Sequence, residues 1–555
     1  MTLTMTALTW DDLTEAEQRV WRAAEAGDRT SLEDTDSRQN HPDRGAEWAA
    51  PRQVRAAVLV QLVTGSGVGT PEVHPRGIRL QGARVTGELD LEGAALRCPL
   101  ALLDCHVDSV INLTDASAPS LRLSGCRITG IMARELVVRG DLVLDDGFTA
   151  TGEVRLAGAR IGGDLNCRGG HFGNPSGPAI DGYALTVTQT LFCCDGFSSE
   201  GEVRLEGAHM GGALICSAGR FSGGAGPALR ADLLSVDQGV LLNDGFVAEG
   251  EVRLIGAHIR GQLVCNGGRF LNPGGVAIGG GGLNVERGML CQDGFEARGE
   301  VRLVGASIIA ELNTTGGSFV NPGGCSLDLT RACLDGALFL RPDIFAGCLD
   351  LTHARIGGYY DDQATWPQEL HVDGLTYDSI EAKPDIRVAD RLRWLGMNNG
   401  GVYSSQPYEQ LATAYRRQGL DGSAREVSIA KQRRRRMRGG ALDHISGRLL
   451  DWTVGYGYRT WLAVGWLMAL WAVGALVFWL AEHQGQMRAV RPDAQPPFQP
   501  LVYALDVLLP VVSLHQRDSW NAEGLYGGVF VLFTLAGWVL ASAVVLSLSG
   551  MLKRD

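Results

Sequence analysis

A repeat of 49 residues constrains the fold of this chain more than any other feature of its sequence. The segment Gly-Glu-Val-Arg-Leu recurs at this spacing, and each copy is followed at a fixed offset by a phenylalanine. A fixed period of this length is typical of solenoids, in which each unit buries its apolar face against its neighbours. The four copies begin at Gly152, Gly201, Gly250 and Gly299.

Each repeat unit divides into two similar coils of about 25 residues. Within a coil, apolar and polar residues alternate as they do in β-strands, and glycines separate runs that are too short for helices. The pattern therefore predicts a mainly β chain, with a parallel β-helix over residues 76–380. Roughly a dozen coils at ~4.8 Å spacing would give a rod on the order of 55–60 Å long. We expect the stacked interior rows to include Ile161, Leu165, Cys167, Met210, Leu214, Cys216, Ile259, Leu263 and Cys265.

The 12 cysteines all lie inside the predicted β-helix, and the repeat accounts for most of them. Cys167, Cys216 and Cys265 share one repeat position, which the next copy fills with Thr314. Metal ligands or disulfide partners would not be exchanged so freely, so this position indicates a small buried packing site with reduced thiols. The sequence contains no paired CxxC motif, and we expect no metal site, no bound cofactor and no catalytic residues.

The two ends of the predicted β-helix have a different composition. Residues 1–75 predict a helical cap, with a capping box from Thr14 to Glu17 and a second helix from about Pro51 to Leu62. A cap is expected because an open β-helix end exposes unpaired strand edges. Residues 381–458 predict a helical connector that contains one tetratricopeptide-like hairpin.

A basic segment near the end of this connector contrasts with the net charge of −12 for the whole chain. In isolation such a run could indicate nucleic-acid binding. It precedes a predicted membrane span by about 20 residues, however, so anionic lipid headgroups are the simpler partner and no nucleic acid is expected. Its basic residues are Lys431, Arg433, Arg434, Arg435, Arg436 and Arg438.

The C-terminal region, residues 459–555, predicts a membrane module. Two uncharged apolar runs, about 460–481 and 525–548, are each long enough to cross ~30 Å of hydrocarbon. Basic residues precede the first run and follow the second, so the positive-inside rule places both chain termini in the cytoplasm. We therefore expect a multi-pass protein of the inner (plasma) membrane, with its β-helix in the cytoplasm and the loop between the spans outside.

A third apolar segment, about 500–514, is too short to span and predicts a re-entrant or interfacial helix. It contains Asp506, a candidate functional or pore residue, because an ionisable group at membrane depth is costly. Span, short helix and span resemble the pore module of two-span cation channels. Thr453–Gly457 reads Thr-Val-Gly-Tyr-Gly, as in a potassium selectivity filter, but it precedes the first span and therefore indicates a membrane-entry linker.

Three segments resemble those of a family of bacterial, notably actinobacterial, membrane-anchored pentapeptide-repeat-like proteins. They are Gly82–Ala94, Gln406–Ala412 with Ile429–Arg434, and Tyr503–Val512. The resemblance implies a β-helix and a location in the membrane. Relatives of this kind are sometimes labelled membrane-associated oxidoreductases, although no flavin, nicotinamide or haem motif is present in this sequence.

Two classes of function follow from these features. The first is a non-catalytic scaffold or sensor, tethered to the membrane, whose cytoplasmic β-helix binds a protein partner. The alternative is an oligomeric ion channel or pore regulated by the β-helix, since two spans and one short helix cannot enclose a water-filled path alone. An oxidoreductase is a weaker alternative that rests on the family label. The sequence favours a protein that is not an enzyme.

Overall fold

The structure is a computed structural model of the 555-residue chain. It divides into two compact units, residues 1–402 and 403–555, and each is described by itself. The described residues are 8–67, 69–224, 226–383, 386–398, 404–436, 460–490, 497–509 and 512–548.

The N-terminal cap contains two helices, α1 (Glu15–Ala26) and α2 (Ala56–Thr64). The capping box is present, since the Thr14 side chain accepts from the Glu17 backbone and Glu17 accepts from the Thr14 backbone. Gly27 ends α1 with a φ of 72°. The predicted start of the second helix at Pro51 is wrong, because residues there form a 3₁₀ turn and a strand that pairs with the solenoid.

The cap closes the first coil by adding strands to it. Arg29–Ser31 pairs in parallel with Ile78–Gln81, and Gln53–Arg55 pairs with Arg84–Thr86. The strand edges of the first coil are therefore hydrogen-bonded rather than exposed. Short 3₁₀ turns join these elements and also occur in the last coils: Trp10–Asp12, Ser37–Gln39, Pro42–Glu47, Ala50–Arg52 and Gln363–Thr365.

A parallel β-solenoid of about 13 turns follows the cap, which confirms the predicted fold class. Its strands form two long sheets, named sheet A and sheet B. Sheet A has 24 strands: Arg29–Ser31, Ile78–Gln81, Leu100–Leu103, Ser117–Ala118, Leu121–Ser124, Val137–Val138, Leu142–Val143, Arg160–Ile161, Leu165–Asn166, Thr186–Val187, Leu191–Phe192, His209–Met210, Leu214–Ile215, Ser235–Val236, Val240–Leu241, His258–Ile259, Leu263–Val264, Asn284–Val285, Met289–Leu290, Ser307–Ile308, Glu311–Asn313, Cys333–Leu340, Arg355–Asp362 and Thr376–Lys383.

Sheet B forms the other side of the solenoid, and every pairing within it is parallel. Its 19 strands are Gln53–Arg55, Arg84–Thr86, His106–Val107, Ile111–Asn112, Arg127–Ile128, Ile131–Met132, Thr149–Ala150, Val154–Arg155, His171–Asp181, Ser198–Arg204, Arg220–Ser222, Leu229–Arg230, Val247–Glu249, Val252–Arg253, Arg269–Gly279, Glu296–Arg302, Ser318–Asp328, Ile344–Asp350 and Glu369–His371.

A ladder of phenylalanines fills part of the solenoid interior. Successive rings lie 4.9–5.4 Å apart between centroids, close to the rise of one coil, so each ring packs against the next. Such aromatic pairs contribute about 0.5–1.5 kcal/mol each beyond burial of their area. The fully buried members are Phe148, Phe172, Phe197, Phe221, Phe246, Phe270, Phe295 and Phe319.

The last coils are covered by helix α3 (Val388–Gly396). The Arg391 guanidinium, 2% exposed, donates to both carboxylate oxygens of Asp361 at 2.7 and 2.9 Å. Trp366 Nε1 donates to the same carboxylate at 2.9 Å. This buried ion pair, with two charge-assisted hydrogen bonds between its partners, attaches α3 to the solenoid.

One pair of cysteines departs from the expectation of reduced thiols. Cys325 and Cys348 are in register on neighbouring strands of sheet B and form a disulfide. The expectation is wrong for this pair because both residues occupy the same position on adjacent coils, with their Cα atoms 4.3 Å apart.

The described residues of the second unit form helices and one small ribbon. Helices α4 (Gln406–Arg417) and α5 (Asp421–Arg436) form a hairpin. Helices α6 (Thr460–His483) and α8 (Leu525–Leu548) are long and apolar enough to cross a membrane, and the shorter α7 (Pro500–Leu508) lies between them in sequence. The antiparallel ribbon pairs Met487–Ala489 with Trp520–Ala522.

Candidate functional site

The nine predicted interior residues of the solenoid all lie in its core. Each is at most 2% exposed. Register pairs place Leu165 and Leu214 on either side of Leu191 in one continuous row of sheet A. These residues stabilise the coil stack by burial, which contributes about 1.5–3 kcal/mol for a fully buried large aliphatic side chain.

Most of the cysteines also belong to this interior. Cys167, Cys193 and Cys216 follow one another on successive coils and are each at most 2% exposed. Contact with the Cys193 thiol and burial together raise the pKa of Cys167 well above its ordinary value. A thiol that stays protonated is a poor nucleophile and a poor metal ligand. Within the described ranges, no group of three or more His, Cys, Asp or Glu side chains is placed to hold a metal ion.

The basic segment lies on α5. Arg433, Arg434 and Arg435 are exposed, and the Lys431 ammonium pairs with Glu409 of α4 at 3.1 Å. Arg434 also donates to the Tyr408 hydroxyl at 2.8 Å. The ion pair of Lys431 and the hydrogen bond of Arg434 thus join the two helices of the hairpin. Arginine side chains of α5 are also exposed to solvent.

Two sequence predictions fall partly or wholly beyond the described residues. Arg436 ends α5, but its side chain, like the whole of Arg438, lies outside the described part of the chain. The filter-like segment Thr453–Gly457 lies outside it as well.

Asp506 is the centre of the most specific polar arrangement in the second unit. Its side chain is 0% exposed. Three backbone N–H groups donate to its carboxylate: Leu514 to Oδ1, and Gln516 and Arg517 to Oδ2, each at 2.9 Å. Backbone amides that converge on one carboxylate form an anion-binding nest. The carboxylate therefore holds residues 514–517, which follow α7 in the sequence, against α7. These residues are called the closed segment.

Helix α7 packs between the two apolar helices. Tyr503, Ala504 and Leu508 are buried against Phe478 of α6 and Phe533 of α8. The packing buries the apolar face of α7 along with the carboxylate of Asp506.

Close approach of the helices depends on two glycines. A Cβ at Gly474 of α6 would meet the Phe533 ring, and one at Gly537 of α8 would collide with the Leu508 carbonyl oxygen. Small residues of this kind let helices approach closely in membranes. Gly537 is twelve residues, or about 18 Å, beyond the first residue of α8, so α7 reaches well along the apolar helices.

Gln516 supports the same closed segment. Its side-chain amide donates to the Pro497 carbonyl oxygen at 3.3 Å and accepts from the Gln499 backbone at 3.4 Å. The chain then enters the ribbon that begins directly after α6 and ends directly before α8. The described residues 487–490, 497–509 and 512–522 are thus joined to one another by hydrogen bonds between the two long helices.

Sequence reasoning selected Asp506 but missed the groups that hold it. Asp506 was visible because it is an acidic residue within an apolar run. Its partners are backbone amides eight to eleven residues later, and no side-chain pattern marks them. Gln516, Gly474 and Gly537 are only weakly marked in the sequence, because small and polar residues near apolar segments are common.

Comparison with protein-family models, with curated proteins and with solved structures found no match to this chain.

Proposed function

We propose that this protein is a membrane-tethered, non-catalytic scaffold or sensor whose solenoid binds a protein partner in the cytoplasm. The observation that carries the proposal is the solenoid itself: two continuous parallel sheets, capped at the N-terminal end by added strands and at the other by α3. Such a rod offers long, regular outer faces, and solenoids use surfaces of this kind for binding.

The tether consists of α6 and α8. Both expose large apolar side chains along their length, as lipid-facing helices do. Basic residues before α6 and after α8 support a topology with both chain termini in the cytoplasm, in a plasma membrane of the bacterial type to which the resemblance refers. The exposed arginines of α5 would then bind anionic headgroups. Examples of the exposed apolar residues are Val464, Met468, Leu476, Leu532, Leu535 and Trp538.

The arrangement around Asp506 favours a tether over a pore. A carboxylate that selects cations must face the ion path, whereas this one is buried and directed at three backbone amides. The negative charge of Asp506 is stabilised by these hydrogen bonds, so its presence in an apolar segment is explained without a permeant ion. The ion channel thus stays an alternative without a specific contact in its favour.

Reconstitution tests the tether against the pore. Purified full-length protein in liposomes should release a trapped monovalent cation no faster than protein-free liposomes. In cells, the proteins labelled by a proximity-labelling enzyme fused to Met1 should stay the same when residues 460–555 are replaced by an unrelated two-span anchor. Cation flux that Asp506→Asn alters would contradict the proposal and support the channel.

A further inference from the structure

The outer face of sheet A carries a row of apolar side chains that the solenoid core does not use. Register pairs connect them from coil to coil over eight successive coils, and all are partly exposed to solvent. The row is named the apolar stripe. Its members are Phe192, Ile215, Leu241, Val264, Leu290, Phe339 and Tyr360, with the polar Asn313 between Leu290 and Phe339.

A second outward row of the same sheet shows that apolar character is not required there. It is polar on the first six of the stripe's eight coils, and it continues through Cys333 to Arg355 on the last two. Outward positions of a sheet with one face in water are expected to be polar, so the stripe is the exception. Six neighbours in this polar row are Thr186, His209, Ser235, His258, Asn284 and Ser307.

Small residues occupy five of the eight positions that border the stripe on the side of the polar row. They are Ala213, Gly239, Gly288, Ala337 and Gly358, and each directly precedes an inward residue of its strand. Thr190, Gln262 and Glu311 occupy the other three positions. At the C-terminal end of the stripe, a cleft of about 730 Å³ includes Phe339 and Tyr360.

The size of this face suits a protein interface. Eight coils at ~4.8 Å spacing and a width of five to six residues give a face of roughly 700 Å² with the stripe along its centre. A standard interface buries about 800 Å² per partner and has an apolar core with a polar rim.

We propose that the apolar stripe is the contact face of a homodimer, in which two solenoids pack side by side through sheet A. A second copy has the same rise per coil as the stripe, so the side chains of one row can interdigitate with those of the other along the whole length. An α-helix rises 5.4 Å per turn and would lose this register after a few turns. Lateral packing also agrees with the capped ends, which cover the edges that end-to-end association would need.

The charges beside the stripe disfavour lipid as the occupant. Three carboxylates, those of Glu311, Asp335 and Asp378, line the cleft at its C-terminal end together with one arginine, Arg287, so negative charge is in excess there. Anionic headgroups would be repelled by these carboxylates, whereas a protein surface can place arginines against them. Arg168 lies at the other end of the stripe, where its guanidinium is 3.5 Å from the centre of the Phe192 ring and 3.4 Å from Asp195.

The dimer can be tested with two substitutions in one coil. The mass of the full-length protein is measured by light scattering and by sedimentation in detergent, across the micromolar range. Leu241→Asp places a charge in the centre of the stripe, and the control Ser235→Asp places the same charge in the polar row of that coil. The wild type and the control should be dimers, while Leu241→Asp should raise the dissociation constant at least about 100-fold. Circular dichroism should not change, because both side chains lie on the outer face of sheet A.

Three results would overturn the dimer. A wild type that is monomeric at tens of micromolar would do so, as would a dimer that Leu241→Asp leaves intact, since association would then use other surfaces. Carbene footprinting in nanodiscs supplies the third: protection of the stripe in a monomeric preparation would assign the face to lipid. The stripe lies in the solenoid, so these results do not depend on whether the tether conducts ions.

Discussion

Replacing Asp506 by asparagine should release the segment that follows α7. The carboxylate accepts three backbone N–H groups at 2.9 Å and is 0% exposed. Asparagine has the same shape but only one acceptor oxygen, and its NH₂ group must face a backbone donor. One hydrogen bond is lost and the other two lose their charge assistance.

The magnitude follows from these contacts. Hydrogen bonds to a charged group contribute about 1.5–3 kcal/mol each, and neutral ones about 1 kcal/mol. Three charged bonds are replaced by two neutral ones, and part of the loss is offset because the variant buries no charge. We therefore expect local opening to become easier by about 2–4 kcal/mol, which corresponds to a roughly 30- to 700-fold increase in the open population.

Limited proteolysis measures this opening directly. Arg517 lies in the closed segment, so trypsin cleavage after it in the detergent-solubilised full-length protein should accelerate by the same factor. Asp518→Asn is the matched control, because the Asp518 side chain is 68% exposed and lies only 4.0 Å from Arg517. Equal cleavage rates in the wild type and in Asp506→Asn would refute the structural role and return Asp506 to the candidates for a pore.

Three further changes should show how the solenoid and its caps are held. Phe246→Ala interrupts the aromatic ladder and should lower the free energy of unfolding by about 3–5 kcal/mol in chemical denaturation. Asp361→Ala leaves the Arg391 guanidinium buried without its partner and should destabilise by about 3–5 kcal/mol, detected as early loss of tryptophan fluorescence. Burial alone would raise the pKa of Glu17, but hydrogen bonds from Arg55 and Thr14 bring it below its ordinary value. Its contribution is therefore present above the ordinary carboxyl pKa and is lost as pH falls through the lowered value. Thermal midpoints of wild type and Glu17→Gln should differ at pH 7 and converge in acid, below the lowered pKa.

The solenoid could be predicted from sequence because its contacts are local in the repeat. Each coil packs on the next one, about 25 residues away, so the same apolar spacing appears in every copy. The cap was harder. Gln53–Arg55 is a strand only because the first coil pairs with it, and its proline neighbour reads equally well as the start of a helix.

The state of individual cysteines and the outward apolar row were harder to predict than the fold. Repeat positions that exchange Cys, Thr and Leu predicted buried thiols, and this holds for Cys167 and Cys216. Cys325 and Cys348 are 23 residues apart and in register, a relation that appears only when the coils are aligned exactly strand by strand. The apolar stripe was also hidden, because Phe192 lies between Leu191 and Cys193 and the run reads as uniformly apolar rather than alternating.

A topology measurement tests the tethered solenoid most directly. Reporter domains would be fused after Met1, near Asp493 and after Asp555 of the full-length protein, with activity read on each side of the membrane. Both terminal fusions should report the cytoplasm and the fusion near Asp493 the outside. A terminal reporter outside the cytoplasm, or protein that remains soluble after cell lysis, would contradict a solenoid held at the inner face of the membrane.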